Sequence, residues 1–282
     1  MTRFFSLFLF VFGLTTFASG QSGTFNPKEP NNGNRGIVYD RETAFDLTLF
    51  GNGYEFGINI GKLKTYYRTE YFHIGLGELK HNREFKNRDG IVGGGSNRGL
   101  NNRSYVYGKQ NNLYTLRAGY GIKRYYTEKA RKKGLAVGVS YEGGPTIGLL
   151  KPYYLELNRT DVGGPTTPNI EKFNGDNADY FLNTDRIFGA APAFNGFSEI
   201  KIKPGIHFSG AVHFDWGAFD QYVKAVEVGI AADIFFSNIP ILIDDAEFET
   251  NSGTIVNILP ENVKNRPYFL NLYISFQLGK RY

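Results

Sequence analysis

The segment Pro267–Tyr282, PYFLNLYISFQLGKRY, decides the fold that the sequence predicts. From Tyr268 to Leu278 most alternate residues are apolar, and most of the residues between them are polar or small. Successive side chains of a β-strand point to opposite faces, so this pattern predicts a strand with one apolar and one polar face. The strand ends on an aromatic residue, Tyr282.

Seven earlier segments alternate in the same way. They are Ala44–Phe50, Tyr54–Gly61, Tyr66–Leu79, Tyr114–Lys123, Leu135–Glu142, Glu199–Trp216 and Val226–Ile234. The connections between the eight strands alternate between short turns and long loops, the loops being 81–110, 158–195 and 237–265, with Gly51–Gly53 as a short exception. Outer-membrane barrels have an even number of strands, short periplasmic turns and longer external loops. We therefore predict an all-β, up-and-down antiparallel transmembrane barrel with long extracellular loops.

The composition agrees with this fold. Aromatic residues make up 16% of the 282 residues and there are 35 glycines, which favours strands and tight turns. The absence of cysteine excludes disulfides, a thiolate metal site, a cysteine nucleophile and a lipidated N-terminal cysteine.

The N-terminus has the pattern of a secretory signal. Arg3 precedes the apolar run Phe4–Leu14, and Ala18-Ser19-Gly20 offers small residues for cleavage. The run is shorter than the ~20 residues that a membrane-spanning helix needs. We predict a signal peptide at 1–20, a flexible periplasmic segment at 21–43 and the barrel at 44–282. Loss of Arg3 lowers the net charge from +5 to +4, too little to indicate nucleic-acid binding.

Alternation alone does not distinguish a membrane barrel from a soluble β-sandwich or a lipocalin-like barrel. The loop asymmetry, the terminal aromatic strand and the aromatic residues at the ends of the apolar stripes favour a barrel of the bacterial outer membrane. In the last strand we expect Leu270, Leu272, Ile274, Phe276 and Leu278 to face lipid. Asn271, Tyr273, Ser275 and Gln277 should then face the lumen.

An eight-stranded barrel has an interior just wide enough for side chains to fill, and buried charges need partners. We therefore predict a cross-lumen ionic network and no open channel. Its predicted members are Asp46, Glu55, His73, Arg117, Lys123, Glu142, Glu199, Lys201, Lys203, His207, His213, Asp215, Glu227 and Asp233.

His207, Ser209, His213 and Asp215 share one face and suggest a hydrolase. However, His207 and Asp215 are eight residues apart, roughly 26 Å along a strand, so the four residues do not form one triad. A metal site made by His207, His213 and an opposing Glu has no diagnostic spacing. We therefore predict no catalytic residues, no metal and no cofactor.

Two further features concern partners. Basic residues gather at the predicted periplasmic rim, where they would attract lipid phosphates or an acidic periplasmic protein. The rim consists of Lys129, Arg131, Lys132 and Lys133, with Lys62, Lys64, Lys123, Arg124, Lys280 and Arg281. The apolar segments Ile239–Ile243 and Ile255–Leu259 in a long loop would pair as a hairpin or cover a partner surface.

The signal, the strand pattern and Leu272–Tyr282 resemble outer-membrane β-barrel proteins of Bacteroidota, the OmpA-type class that includes PorT-like barrels. The resemblance implies an accessory subunit of a secretion or outer-membrane assembly machine, and it assigns no functional residues. The leading hypothesis is therefore a non-enzymatic barrel. It would contact outer-membrane lipids and protein partners in the outer membrane or periplasm, but no nucleic acid. An outer-membrane enzyme acting on lipid or peptide, or a narrow pore, are the alternatives.

Overall fold

The computed structural model describes residues 39–84, 86–87, 103–127, 134–159, 168–218, 220–244 and 263–282, without the side chain of Asp185. Eight long strands form the barrel: β1 (Arg41–Phe50), β2 (Gly53–Thr65), β3 (Arg68–Leu79), β6 (Asn111–Tyr125), β7 (Ala136–Pro152), β11 (Lys201–Asp215), β12 (Tyr222–Phe235) and β13 (Tyr268–Arg281). Shorter elements lie in the connections: β4 (Lys86–Asn87), β5 (Tyr105–Val106), β8 (Tyr154–Asn158), β9 (Pro168–Lys172), α1 (Ala178–Phe181) and β10 (Ile187–Ala190).

The eight long strands close into one antiparallel barrel in the order β1-β13-β12-β11-β7-β6-β3-β2. Leu47 of β1 pairs with Phe56 of β2 on one side and with Phe276 of β13 on the other, so the first and last strands complete the ring. Closure leaves no barrel strand with an unpaired edge. The predicted all-β, eight-stranded, up-and-down barrel is confirmed.

The outer surface of the barrel is apolar and its interior is polar. In β13, Leu272 is 72% exposed whereas its neighbour Tyr273 is 7% exposed. Leu270, Ile274, Phe276 and Leu278 are exposed, and Asn271, Ser275 and Gln277 are buried, as the alternation predicts. The other barrel strands show the same division, with Phe45, Phe56, Phe72, Ile74, Phe208 and Ile230 among the exposed side chains.

The two ends of the barrel differ. Both barrel termini lie at the end with the short turns, where the backbone amides of Asp40 and Arg41 donate to the carbonyl of Tyr282. We call this the short-turn end and the opposite one the loop end. The first strand begins at Arg41, so the predicted start of the barrel at Ala44 is three residues too late.

Folded loops cover the loop end. Strands β8, β9 and β10 form a three-stranded sheet, and its apolar side chains pack with Tyr105, Tyr107 and Phe181. We call β5, β8–β10, α1 and the segment 239–243 the cap. Where the cap meets the barrel, side chains of both form an apolar seal above the lumen, composed of Leu79, Val106, Leu113, Leu150, Phe235, Ile239, Ile241, Leu242 and Val263.

The seal corrects one prediction. Ile239–Ile243 does not lie open for a partner, because Ile239, Ile241 and Ile243 are buried in the apolar clusters of the cap and seal. Its pairing as a hairpin with Ile255–Leu259 stays a prediction. The companion segment Ile255–Leu259 lies outside the described residues. No helix in the described ranges is long and apolar enough to cross a membrane.

Candidate functional site

The lumen below the seal is filled with charged side chains, and its first layer is centred on Arg117 of β6. The guanidinium donates to both carboxylate oxygens of Asp233, at 2.8 Å each, and also to Glu55. It stacks over the ring of Phe50 at 4.8 Å. All three ionic groups are buried, so this layer joins β2, β6 and β12 by charge-assisted hydrogen bonds.

The middle layer contains two histidine–carboxylate groups. Asp46 accepts a hydrogen bond from Asn59 at 2.8 Å, and the Oδ1 atom of Asn59 lies 3.0 Å from Nδ1 of His73. Across the lumen, Nε2 of His207 lies 3.1 Å from Glu142. A cavity of about 40 Å³ lies among these residues, large enough for water molecules.

The third layer closes the short-turn end with a continuous network. Glu42 on β1 accepts from Lys123 at 3.3 Å and from Arg281 at 3.0 Å, and Lys123 also donates to Gln277. Arg281 further donates to Asp215 at 2.9 Å. From Asp215 the network continues through Tyr125 and His213 to Glu227.

Most of the predicted network residues lie together in this lumen. The three layers contain Asp46, Glu55, His73, Arg117, Lys123, Glu142, His207, His213, Asp215, Glu227 and Asp233. Three predicted members lie elsewhere. Glu199 is exposed beside the cap and pairs with Lys172, Lys201 is exposed, and Lys203 donates to Ser237 at the loop end.

The basic rim is also different from the prediction. Lys123 and Arg281 are buried ion-pair partners inside the lumen rather than rim residues. Lys62, Lys64, Arg124 and Lys280 are exposed at the short-turn end. Lys129, Arg131, Lys132 and Lys133 lie outside the described residues.

The sequence interpretation missed Glu42 and Arg281 as lumen residues. Glu42 was assigned to the flexible segment, although it is in phase with Asp46 on the inward face of β1. Arg281 is likewise in phase with Gln277 on β13. Extending the alternating pattern of β1 back to Glu42, and that of β13 forward to Arg281, would have identified both.

The hydrolase residues do not assemble into one catalytic set. His207 lies beside Glu142 in the middle layer, whereas His213 and Asp215 belong to the network at the short-turn end. Both histidines are buried below the apolar seal. By contrast, Asp46, Glu55 and His73 bring potential metal-ligand atoms within 4.8 Å of one another.

The cap contains titratable groups in an apolar setting. Burial raises the pKa of Tyr107 to about 12, and its hydroxyl donates to the carbonyl of Leu182 at 2.6 Å. Burial also raises the pKa of Tyr153 to about 12, and its hydroxyl accepts from the amide of Val106. Both tyrosines therefore stay neutral in the folded cap over the physiological range.

A closed eight-stranded barrel with an apolar outer face and a filled polar lumen is the architecture of outer-membrane-type β-barrel proteins. No protein-family model matches the chain, and a search of curated proteins found no match. The crystal structure of the N-terminal β-barrel domain of OprF from Pseudomonas aeruginosa is similar to 85% of this chain and 97% of that chain, with a TM-score of 0.29 and 8% sequence identity. The resemblance to Bacteroidota barrels stays a prediction.

Proposed function

We propose that this chain is a non-enzymatic β-barrel of the bacterial outer membrane and an accessory or structural subunit of a secretion or protein-assembly complex. The band of exposed apolar side chains around the barrel supports the location, because an isolated apolar surface of this kind needs lipid. The short-turn end then faces the periplasm and the cap faces the exterior.

The observation that carries this proposal is the closure of the lumen at both ends by described residues. Apolar side chains seal the loop end, and the Glu42–Arg281–Asp215 network occupies the short-turn end. In the described part of the chain, side chains at both ends therefore separate the lumen charges from the outside, which favours a role for the external surfaces over catalysis or conduction.

The connection beside the cap offers a surface suited to a protein partner. Phe194 and Phe197, in the connection between β10 and β11, are 85% and 54% exposed, and their ring centroids lie 6.3 Å apart. The connection is fixed by the amide of Ala191, which donates to the carbonyl of Tyr154 at 3.0 Å, and by Lys151, whose Nζ lies 4.6 Å from the ring centroid of Phe197. Rigid exposed aromatic pairs are typical anchors of protein interfaces.

Site-specific photocrosslinking in intact cells of the native host tests the proposal. A crosslinker at position 194 should give a discrete protein adduct, and the adduct of a crosslinker at position 197 should be lost on Phe194→Ser substitution. Trp216→Ser, at the opposite end of the barrel, is the matched control and should leave the adduct intact. A barrel that gives no adduct and migrates alone in native gels would contradict the proposal.

Planar-bilayer recordings test closure separately. The purified barrel should show no conductance steps, because both ends are occupied by buried side chains. Regular single-channel openings would instead support the narrow pore.

A further inference from the structure

The middle layer of the lumen has a group of residues suited to a cation. Asp46, Glu55 and His73 each present one ligand atom within 4.8 Å of the others, and Nε2 of His73 lies 3.4 Å from Oε1 of Glu55. Metal–ligand bonds of ~2.0–2.1 Å in a tetrahedral site separate neighbouring ligand atoms by roughly that distance. The other oxygen of Glu55 is held by Arg117, so Oε1 is the atom left facing the histidine.

Hydrogen bonding determines which nitrogen of His73 carries a proton. The carboxylate of Asp46 only accepts, so the side chain of Asn59 must direct its NH₂ group to Asp46 and its oxygen to His73. That oxygen only accepts, and Nδ1 of His73 must therefore donate. Nε2 then faces the carboxylate of Glu55, an arrangement that requires a positive charge between them, either a proton or a metal ion. A metal-ligating histidine held by an amide oxygen through its second nitrogen shows the same pattern.

Two glycines leave room for the group. A Cβ at position 57 would lie 2.4 Å from Cε1 of His73 and 2.7 Å from Oδ2 of Asp46. A Cβ at position 75 would lie 2.6 Å from both Nε2 of His73 and Cδ of Glu55. At both positions the barrel wall therefore presents only backbone to the three ligands, because a side chain there would collide with them.

A second, independent observation comes from His207. It lines the same cavity as Asp46, Glu55 and His73, and is only 4% exposed. Its Nδ1 atom is buried and has no hydrogen-bond partner among the described residues. An unsatisfied buried nitrogen needs an occupant of the cavity, since leaving it unpaired is costly. A water molecule bound to a metal ion in this cavity would give the nitrogen a hydrogen-bond partner.

The charge balance of the described lumen also calls for a cation. Its seven carboxylates are Glu42, Asp46, Glu55, Glu142, Asp215, Glu227 and Asp233, against three permanent cations, Arg117, Lys123 and Arg281. The carboxylates therefore outnumber the permanent cations by four, and buried charge needs compensation. A divalent ion bound among them would offset part of this excess.

We propose that the lumen binds one divalent transition-metal ion of the Zn²⁺ type through Asp46, Glu55 and His73. Carboxylate and imidazole donors together favour Zn²⁺ and its neighbours over Ca²⁺ and Mg²⁺, which prefer all-oxygen sites. The ion would join β1, β2 and β3 and so stabilise the barrel from within. The site is separate from the cap surface, and this inference does not depend on the proposed partner role.

Metal loading of the mature chain without a histidine tag tests the site. The protein is refolded from urea into detergent micelles with and without ZnCl₂, washed with EDTA and assayed for bound zinc. Wild type should retain one equivalent, and a Co²⁺-loaded sample should show visible bands typical of a low-coordinate mixed nitrogen and oxygen site. Asp46→Asn, which keeps the shape of the side chain, should weaken Zn²⁺ binding roughly 100-fold or more.

Glu70→Gln is the matched control, because Glu70 lies on the same strand as His73 but on its outer face, where it pairs with Lys64 and Arg68. It should bind Zn²⁺ as wild type does. Equal binding by the two variants, or wild type that refolds with zinc yet retains none, would overturn the proposal. If Asp46→Asn does not refold, X-ray absorption of the wild-type zinc sample decides: one imidazole with oxygen ligands supports the site, and any other ligand set refutes it.

Discussion

Arg117 and Asp233 form a bidentate ion pair across the lumen, with Nε–Oδ1 and Nη2–Oδ2 distances of 2.8 Å, although 116 residues separate them in the chain. Arg117 also holds Glu55, so a single guanidinium links three strands. Such a group is present because a closed barrel brings polar faces together and removes their charges from bulk water, so that they need partners. The ion pair therefore forms only in the closed barrel, and it stabilises the closed barrel in turn.

Replacing Arg117 by Met should strongly destabilise the barrel, because Glu55 and Asp233 would become buried carboxylates without their cation. Loss of one partner of a buried ion pair costs about 3–5 kcal/mol. The free energy of unfolding is measured by urea titration in lipid vesicles, with the heat-modifiable gel mobility as a second readout. Arg124→Met on the exposed face of the same strand should change it by less than about 0.5 kcal/mol. Equal effects would contradict the network.

Periodicity identifies the face of a residue but not its depth. Lys201 and Lys203 are in phase with His207, as expected of lumen residues, yet β11 extends past the lumen and places them at the loop end. Arg281 shows the converse, since it was predicted at the rim but its long side chain reaches inward to Glu42. The eight strands and their inward faces were predictable from local alternation. Which side chains pair within the lumen depends on the strand register and on closure of the barrel, and neither can be read from a single segment.

The corrected start of β1 makes a second prediction. Glu42 is 1% exposed and accepts from both Lys123 and Arg281, so Glu42→Gln should leave two buried cations short of charge. We expect a loss of about 3 kcal/mol in the free energy of unfolding. A chain starting at Ala44 should be weakened similarly, whereas one starting at Tyr39 should fold as the full mature chain does.

Glu70→Gln is the control for that experiment. Glu70 lies near the same end of the barrel but is partly exposed, and its pairs with Lys64 and Arg68 lie at the surface. Exposed pairs contribute about 0–1 kcal/mol, so its removal should have little effect. If the chain starting at Ala44 matched the full mature chain in stability, the structural role of Glu42 would be disproved.

The apolar seal should be sensitive to a single charge. Ile241 is fully buried between the cap and the barrel, and Ile241→Asp would place a carboxylate there without a partner. We expect rapid proteolysis of the cap in vesicles while the barrel itself stays protected. Ile170→Asp, on the exposed strand β9 where the native side chain is 48% exposed, should leave the protease pattern unchanged. An intact cap in both variants would show that the seal is not what holds it.

Alkaline pH should loosen the cap before the barrel. Burial raises the pKa of Tyr107 to about 12 in the folded protein, whereas an unfolded tyrosine ionises near pH 10. Folding therefore opposes loss of this proton, so the stability of the cap should be constant below pH 10 and fall as the pH rises towards 12. Absorbance at the tyrosinate band should show a late-titrating component that Tyr107→Phe reduces. A titration identical in the two proteins would contradict the assignment.

Close contact between strands β6 and β7 makes Gly144 irreplaceable. A Cβ there would lie 2.1 Å from the backbone oxygen of Ala118 and 2.8 Å from Cα of Gly119, where no side chain can move aside. The pairing of β6 with β7 skips Ala118 and Gly119, although the register is the same on both sides, at Arg117–Thr146 and Tyr120–Gly143. Gly144→Ala should therefore force the strands apart and lower the free energy of unfolding by several kcal/mol, on the order of a severe core overpacking.

Gly210→Ala is the matched control, because nothing lies within 4 Å of its Cβ position. It should be neutral in urea titrations, or stabilising by about 0.4–1 kcal/mol through the unfolded chain. If both variants unfold like wild type, the close approach of β6 and β7 at Gly144 is wrong.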